Sequence, residues 1–303
     1  MSTPAILVLG DMMTDVIVRP EGPLVRGSDR RARIVARPGG SAANQAVWLA
    51  GFGADVRFLG RVGAADLDAR RAYFSERGVT PLLVGDPDAP SGSLVAIVDM
   101  DGERSFLTDR GANLNLSETD VPADALDGVG MLLCSGYSFF APAPRSAALH
   151  LMGLAKIRAI PTVVDAASVG FLREAGAQAF FKWTSGAGTL FANTDEALEL
   201  SGSVDLNLQM QTLGRLYPRV VIKRGVAGAA VGGRRGVTAS LPAPHSDVID
   251  TTGAGDAFAA AFLAADLRGE AVEACLKAGI AAGATAVTLV GGQPDRGLFK
   301  PTR

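Results

Sequence analysis

With 303 residues, 48% of them hydrophobic and 20% charged, the chain is long enough to bury one large core and too apolar to remain disordered. Its 29 basic and 31 acidic side chains sum to a formal net charge of −2 and are scattered, so no basic stripe exists to neutralise a nucleic-acid backbone and no nucleic-acid partner is expected. No apolar run reaches the roughly 18 residues that cross a bilayer, and MSTPAILVLG lacks the order of a secretory signal, so a cytoplasmic protein with no membrane partner is expected.

The first element, AILVLG from Ala5 to Gly10, is a continuous apolar run ending in glycine, the pattern of a strand buried on both faces of a parallel sheet. Similar runs recur at VRFLG, MLLCSG, PTVVDAA, LFANT and VVIKRG, separated by helical spacing in stretches such as SAANQAVWLAGFG and DAFAAAFLAADLRG. Alternation of this kind predicts an α/β sheet with helices on both faces. Val16 to Pro38 and Ser93 to Asn113 break the rhythm with alternating apolar and polar residues around Pro-Glu-Gly and Asp-Gly turns, which reads as antiparallel ribbon. The expectation is one domain over residues 1–303, with a small β-sheet lid formed by excursions at about residues 14–38 and 90–113. Cys134 and Cys275 sit in apolar surroundings and are expected to be buried and inert. Neither His150 nor His245 has the neighbours of a triad or a zinc site.

Chemistry concentrates in two glycine-led helix starts. In Asp250-Thr251-Thr252-Gly253-Ala254-Gly255-Asp256, small residues let the backbone turn tightly into the helix DAFAAAFLAADLRG, whose free N–H groups and positive dipole end make an anion pocket. Asp256 then falls in the first helical turn beside that pocket, placed to take a proton from an attacking hydroxyl. An Asp favourable to a helix N-terminus after a glycine turn explains the same pattern without chemistry. The tripeptide recurs as Gly186-Ala187-Gly188, followed by Thr instead of Asp, and that copy reads as an ordinary turn. In the second start, Gly39 and Gly40 precede Ser41-Ala42-Ala43-Asn44; glycines allow close approach to a ligand, and the Asn44 amide both donates to and accepts from hydroxyls. A P-loop fails because none of the five lysines follows a glycine, and the dinucleotide fingerprint fails at Gly51-Phe52-Gly53-Ala54-Asp55-Val56, where Val occupies the third glycine position.

Together, RPGGSAANQAVWLAGFGADVRFLGRVG and DTTGAGDAFAAAF resemble the two signatures of the ribokinase-like (PfkB) carbohydrate kinases, and the intervening segments fall in family order. The resemblance implies a three-layer α/β/α domain with a mainly parallel central sheet and the β-lid. It also implies ATP as phosphate donor with Mg²⁺, and a sugar or sugar-derived acceptor. In that scheme Asp256 is the catalytic base and the amides of Gly253, Ala254 and Gly255 stabilise the phosphoryl group in flight. Asp15, Gly39, Gly40 and Asn44 would hold the acceptor. Asn193 and Glu196 of the Asn-x-x-Glu element would hold Mg²⁺ through water, although the same pair can simply open the helix TDEALELSG. Lys223, Gly225, Gly228 and Thr252 would approach the nucleotide; for Lys223 and Arg224 a structural salt bridge is the alternative. Carbonyls around Asp250 and Thr252, with LVGGQP, are candidates for a monovalent cation such as K⁺. Tyr137 and Arg104 are further candidates for substrate contact, Asp165 a weaker one, and Tyr137, Phe139 and Phe106 suggest an alternative in which a nucleoside base is sandwiched. Asp66 reads as a helix cap. Gly-Lys-Gly-Ala-Asn in ribokinase stands against Gly40-Ser41-Ala42-Ala43-Asn44 here, so ribose is not indicated. A non-catalytic sugar-binding relative would have lost the base or the pocket, and both are present. A homodimer through the lid is the expected assembly if the lid carries an exposed apolar face.

Overall fold

The computed structural model describes residues 4–100 and 104–294. The chain opens with β1 (Ala5–Leu9), β2 (Met13–Pro20), β3 (Ala32–Gly39), α1 (Ser41–Gly51), β4 (Val56–Gly63), α2 (Leu67–Ser75) and β5 (Val79–Asp86). There follow β6 (Gly92–Val98), β7 (Arg104–Asp109), β8 (Val129–Ser135), α3 (Pro142–Ile157), β9 (Thr162–Asp165), α4 (Val169–Ala175) and α5 (Ala177–Trp183). The last third holds β10 (Thr189–Asn193), α6 (Thr194–Ser201), α7 (Leu206–Leu213), β11 (Arg219–Lys223), β12 (Ala229–Gly233), β13 (Gly236–Leu241), α8 (Ala254–Leu267) and α9 (Val272–Ala286).

The central sheet runs β13-β12-β11-β10-β9-β8-β1-β4-β5. It is parallel from β11 to β5, and β12 and β13 add an antiparallel edge. Each apolar run predicted as a strand is one, and the register explains the absence of alternation. In β1, Ile6 and Val8 join the core that contains Trp48, Phe262 and Leu276, while Leu7 and Leu9 join the opposite core with Leu151 and Leu213. Both faces are therefore covered, and each such side chain contributes roughly 1.5–3 kcal/mol by leaving water. Not anticipated was β5, whose Pro81 reads against a strand; β5 is the edge of the sheet, where a missing N–H is tolerated. Helix α8 is alanine-rich and buried from Ala257 to Ala265, so it packs closely between α1, α9 and the sheet.

A second, four-stranded sheet has the order β3-β2-β6-β7. The pairs β2–β3 and β6–β7 are antiparallel as expected, but β2 and β6 pair in parallel. The reason is topological: β2 continues from β1 and β6 from β5, which are parallel in the central sheet, so both leave it in the same direction. Cys134 and Cys275 are buried free thiols, His150 and His245 are exposed, and no helix among the described residues is long and apolar enough to cross a membrane.

Candidate active site

The two glycine-led helix starts meet at the C-terminal ends of the parallel strands, where α/β sheets bind ligands. Gly253 caps α8 with φ 76°, a left-handed backbone that an L side chain resists, and a Cβ there would overlap Gly292. This close approach sets Asp256 in the first turn of α8. Its Oδ1 accepts from the Ser41 hydroxyl at 2.6 Å and its Oδ2 from the Asn44 amide at 2.8 Å, so α1 and α8 are joined through the carboxylate. Burial pushes the Asp256 carboxyl up to about 6, while the hydrogen bonds from Ser41 and Asn44 pull it down. A group titrating there is a base at neutral pH that can still hold a proton.

Asp165 ends β9 and Lys223 ends β11, so both project into the cleft. Lys223 Nζ donates to the two oxygens of Asp165 at 3.0 and 2.9 Å, and Gln45 Nε2 donates to Oδ2 at 2.9 Å. Burial alone would lower the Lys223 pKa, but Asp165 and Glu196 outweigh it and hold the ammonium charged. A Cβ on Gly255 would lie 3.3 Å from Lys223 Nζ, which puts this cation beside the first turn of α8. The salt bridge considered for Lys223 therefore forms, and it does so at the site.

Asn193 and Glu196 form a reciprocal capping box at α6: Glu196 N donates to Asn193 Oδ1 at 2.9 Å, and Asn193 N donates back to Glu196 Oε2 at 2.8 Å. Asn193 Nδ2 takes the other oxygen at 2.9 Å. Burial raises the Glu196 carboxyl to about 7 against the pull of Lys223. Asp250 is buried and shapes the loop before α8, accepting from Thr252 N at 2.8 Å and from Gly291 N at 3.0 Å.

Asp15, on β2, lies over Gly39, where any Cβ would collide with its carboxyl group. Burial first, and then the charge of Asp250, raise it to about 6. Gly40 precedes α1, and a Cβ on it would overlap the Asp11 carbonyl. Tyr137 is partly exposed after β8 and meets Phe171 edge-on at 5.6 Å. Burial raises its hydroxyl to about 12, a hydrogen bond with Ser168 opposes this, and the charges of Asp256, Glu196 and Asp11 add to it.

A family model described as pfkB family carbohydrate kinase matches residues 3–296. The chain belongs to that family. A relative from Shouchella clausii (strain KSM-K16) named 5-dehydro-2-deoxygluconokinase is 28% identical over 262 residues, covering 82% of this chain and 80% of the relative. Aminoimidazole riboside kinase of Salmonella typhimurium is 28% identical over 286 residues, covering 84% and 79%. Among solved structures, a probable sugar kinase from Rhizobium etli CFN 42 superposes with a TM-score of 0.87 at 24% identity, covering 97% of this chain and 96% of that one. The fold is the ribokinase-like fold, and the protein is a sugar or nucleoside kinase of the pfkB family.

Phe139 is fully buried against Phe180 and cannot flank a base, because the chain turns it into the core below β8. Phe106 is exposed on β7 of the second sheet. A Cβ on Gly228 would collide with the Leu241 carbonyl, so this glycine serves a crossing of two protein segments. Gly225 opens the turn before it. Asp66 stands at the N-cap of α2 but makes no side-chain cap bond. The Arg104 side chain lies outside the described residues.

Missed from sequence were Ser41 and a buried ion pair, Arg110 Nε and Nη2 on Asp11 Oδ2 and Oδ1 at 2.7 and 2.9 Å. Asn113 braces this corner, accepting from Met12 N at 3.0 Å and donating to the Arg110 carbonyl at 2.8 Å. The local signal is a charged residue in each of VLGDMMTD and DRGAN, Asp11 and Arg110, and nothing local pairs them. A recess of about 360 Å³ between α1, α8 and α9, lined mainly by apolar side chains such as Trp48, Phe52 and Ala261 together with Arg268 and Thr285, holds none of these groups.

Proposed function

We propose that the kinase transfers the terminal phosphoryl group of ATP to a hydroxyl of a sugar or sugar-derived small molecule, with Asp256 as general base. The observation that carries this reading is Asp256 itself: a carboxylate raised to about 6, held by Ser41 and Asn44 beside the glycine-led start of α8. Asp256 takes the proton of the acceptor hydroxyl as its oxygen bonds to the terminal phosphorus, and the bond to ADP breaks. The amides of Gly253, Ala254 and Gly255 form the anion hole, and Lys223 adds positive charge next to it. Asp15, Gly39, Gly40 and Asn44 hold the acceptor, and Tyr137 bounds it. The second sheet serves as a lid that excludes water.

Glu196 suits Mg²⁺ held through water: its oxygens accept from Asn193 yet keep lone pairs for water, and among the described residues no cluster of three or more His, Cys, Asp or Glu offers a full cage. Mg²⁺, when bound, neutralises phosphate charge. Asn193 fixes the Glu196 carboxylate. For a monovalent cation such as K⁺, the Asp250 side chain is engaged with backbone N–H groups, which leaves the carbonyls of Asp250 and Thr252 as the ligands. The nucleoside alternative retains Tyr137 as a stacking face but loses Phe139. Ile34, Phe106 and Leu107 are exposed on the outer strands of the second sheet, which supports a homodimer through the lids; gel filtration tests it. ATP consumption with Mg²⁺ against pentoses, hexoses, sugar acids and nucleosides tests the function. Turnover of one class that vanishes in Asp256→Asn is the expected result, and turnover that survives the substitution removes Asp256 as base.

A further inference from the structure

We propose that Asp165 and Gln45 are positioning residues for the transfer, holding the Lys223 ammonium beside the start of α8 so that it meets the phosphoryl group in flight. This role rests on the kinase reading above.

In the central sheet β10 lies between β9 and β11, so the ends of those two strands stand two strand spacings apart, roughly 9.5 Å. Only a long side chain closes that gap. The arm of Lys223 crosses the end of β10, and its Nζ donates to Asp165 Oδ1 at 3.0 Å and to Oδ2 at 2.9 Å; the two side chains are 15% and 4% exposed. Gln45 of α1 adds a third bond to the carboxylate, from Nε2 to Oδ2 at 2.9 Å. Its amide has to present Nε2, because a carboxylate only accepts, and Gln45 Oε1 is then buried without a hydrogen-bond partner among the described residues. Three elements distant in sequence converge on one ammonium and leave a buried acceptor unmatched, which is unfavourable for the fold.

Stability does not account for such a pair, since a buried ion pair recovers little more than the hydration it loses and apolar side chains of similar size often serve a fold as well. Its placement does. A Cβ on Gly255 would lie 3.3 Å from Lys223 Nζ, so the ammonium rests against the first turn of α8. An ammonium carries three N–H donors; Asp165 takes two, and the third remains for a phosphate oxygen. Asp165 has no comparable freedom: it is buried and both of its oxygens are engaged, which sets aside direct contact with the acceptor and leaves Lys223 as the group through which it acts. The pair also reaches the base electrostatically. Lys223 of β11 lowers the Asp256 carboxyl and Asp165 of β9 raises it, while α1 presents only the neutral Ser41 and Asn44 and the segment after β8 the hydroxyl of Tyr137.

The test is a double-mutant cycle on the full chain, with ATP, Mg²⁺ and whichever acceptor of the panel the wild type phosphorylates. Asp165→Asn is expected to lower kcat at least about tenfold while the acceptor KM moves less than about twofold, and Lys223→Met to lower kcat about a hundredfold. Added to Lys223→Met, Asp165→Asn should change kcat by less than about twofold, because the group it acts through is already gone. An equal fall in both backgrounds, or a raised acceptor KM with unchanged kcat, overturns the role and leaves the kinase intact. The acid limb of kcat/KM should move to lower pH in Asp165→Asn and to higher pH in Lys223→Met, directions that a merely structural pair would not produce; unmoved limbs overturn the placement of the pair beside the base. Should Lys223→Met fail to fold with the Asp165 carboxylate left alone, Asp165→Asn decides by its kcat, KM and limb. Should that variant fail as well, Gln45→Leu keeps both charges and is expected to lower kcat at least about threefold at constant KM, and an unchanged kcat overturns the role. A wild type that phosphorylates no acceptor overturns the kinase reading itself, and this role falls with it.

Discussion

The tripeptide Gly-Ala-Gly occurs twice, and the copies do different work. At Gly186 the backbone is left-handed, φ 95°, in a turn with nothing within 4 Å of a would-be Cβ. At Gly253, φ 76°, the same conformation is combined with contact to Gly292, and an acid one turn into the following helix is held by two donors from α1. Glycine at the first copy answers only to backbone shape; at the second it also answers to crowding. Crowding, not the tripeptide, separates the plain turn from the proposed anion hole.

Substitutions can break this contrast at graded cost. Asp256→Asn should lower kcat by at least about a thousandfold, the joint value of the base and its placement. Because the fold disfavours the Asp256 charge, thermal unfolding of that variant should show a midpoint no lower than that of the wild type. Gly253→Ala should lower activity by about a hundredfold and stability by roughly 1–3 kcal/mol, through overlap with Gly292, as read by steady-state kinetics and denaturant titration. Between these and the mildest change lies a pH effect. As the proposed base, Asp256 would work only after losing its proton, so kcat/KM should fall as pH drops below about 6. Ser41→Ala removes a bond that holds the carboxyl down and should move this acid limb to higher pH; an unmoved limb assigns it to another group. Gly186→Ala should cost about 1 kcal/mol of stability and leave activity intact.

What sequence reveals and what it conceals follow from chain distance. Strands buried on both faces announce themselves as unbroken apolar runs, and a glycine-led helix start is contained in a few consecutive residues; both were legible. The partners of those residues were not. Ser41 meets Asp256 across 215 positions, and Arg110 meets Asp11 across 99. No local pattern encodes which polar residue a carboxylate will find after the sheet has assembled. The spacing Asn-x-x-Glu is ambiguous in principle, because a capping box and a metal-holding pair place the same side chains at the same turn. Phe139 was misjudged for a related reason: at a strand end, apolarity says that a ring will be buried but not which side it will take.

Three contacts tie the segment after α9 to the candidate site. Trp48 of α1 donates to the Gly292 carbonyl at 3.0 Å, Gly292 lies against Gly253, and Gly291 N–H closes onto Asp250. The segment near residue 291 is thus a latch for two helix starts that were translated long before it. A nascent or prematurely terminated chain ending at residue 285 contains every proposed catalytic residue yet lacks the latch. It is expected to form no working site, so that ATP turnover by such a fragment would show the latch to be dispensable. The proposed site is therefore expected to close only once the segment that follows α9 is in place.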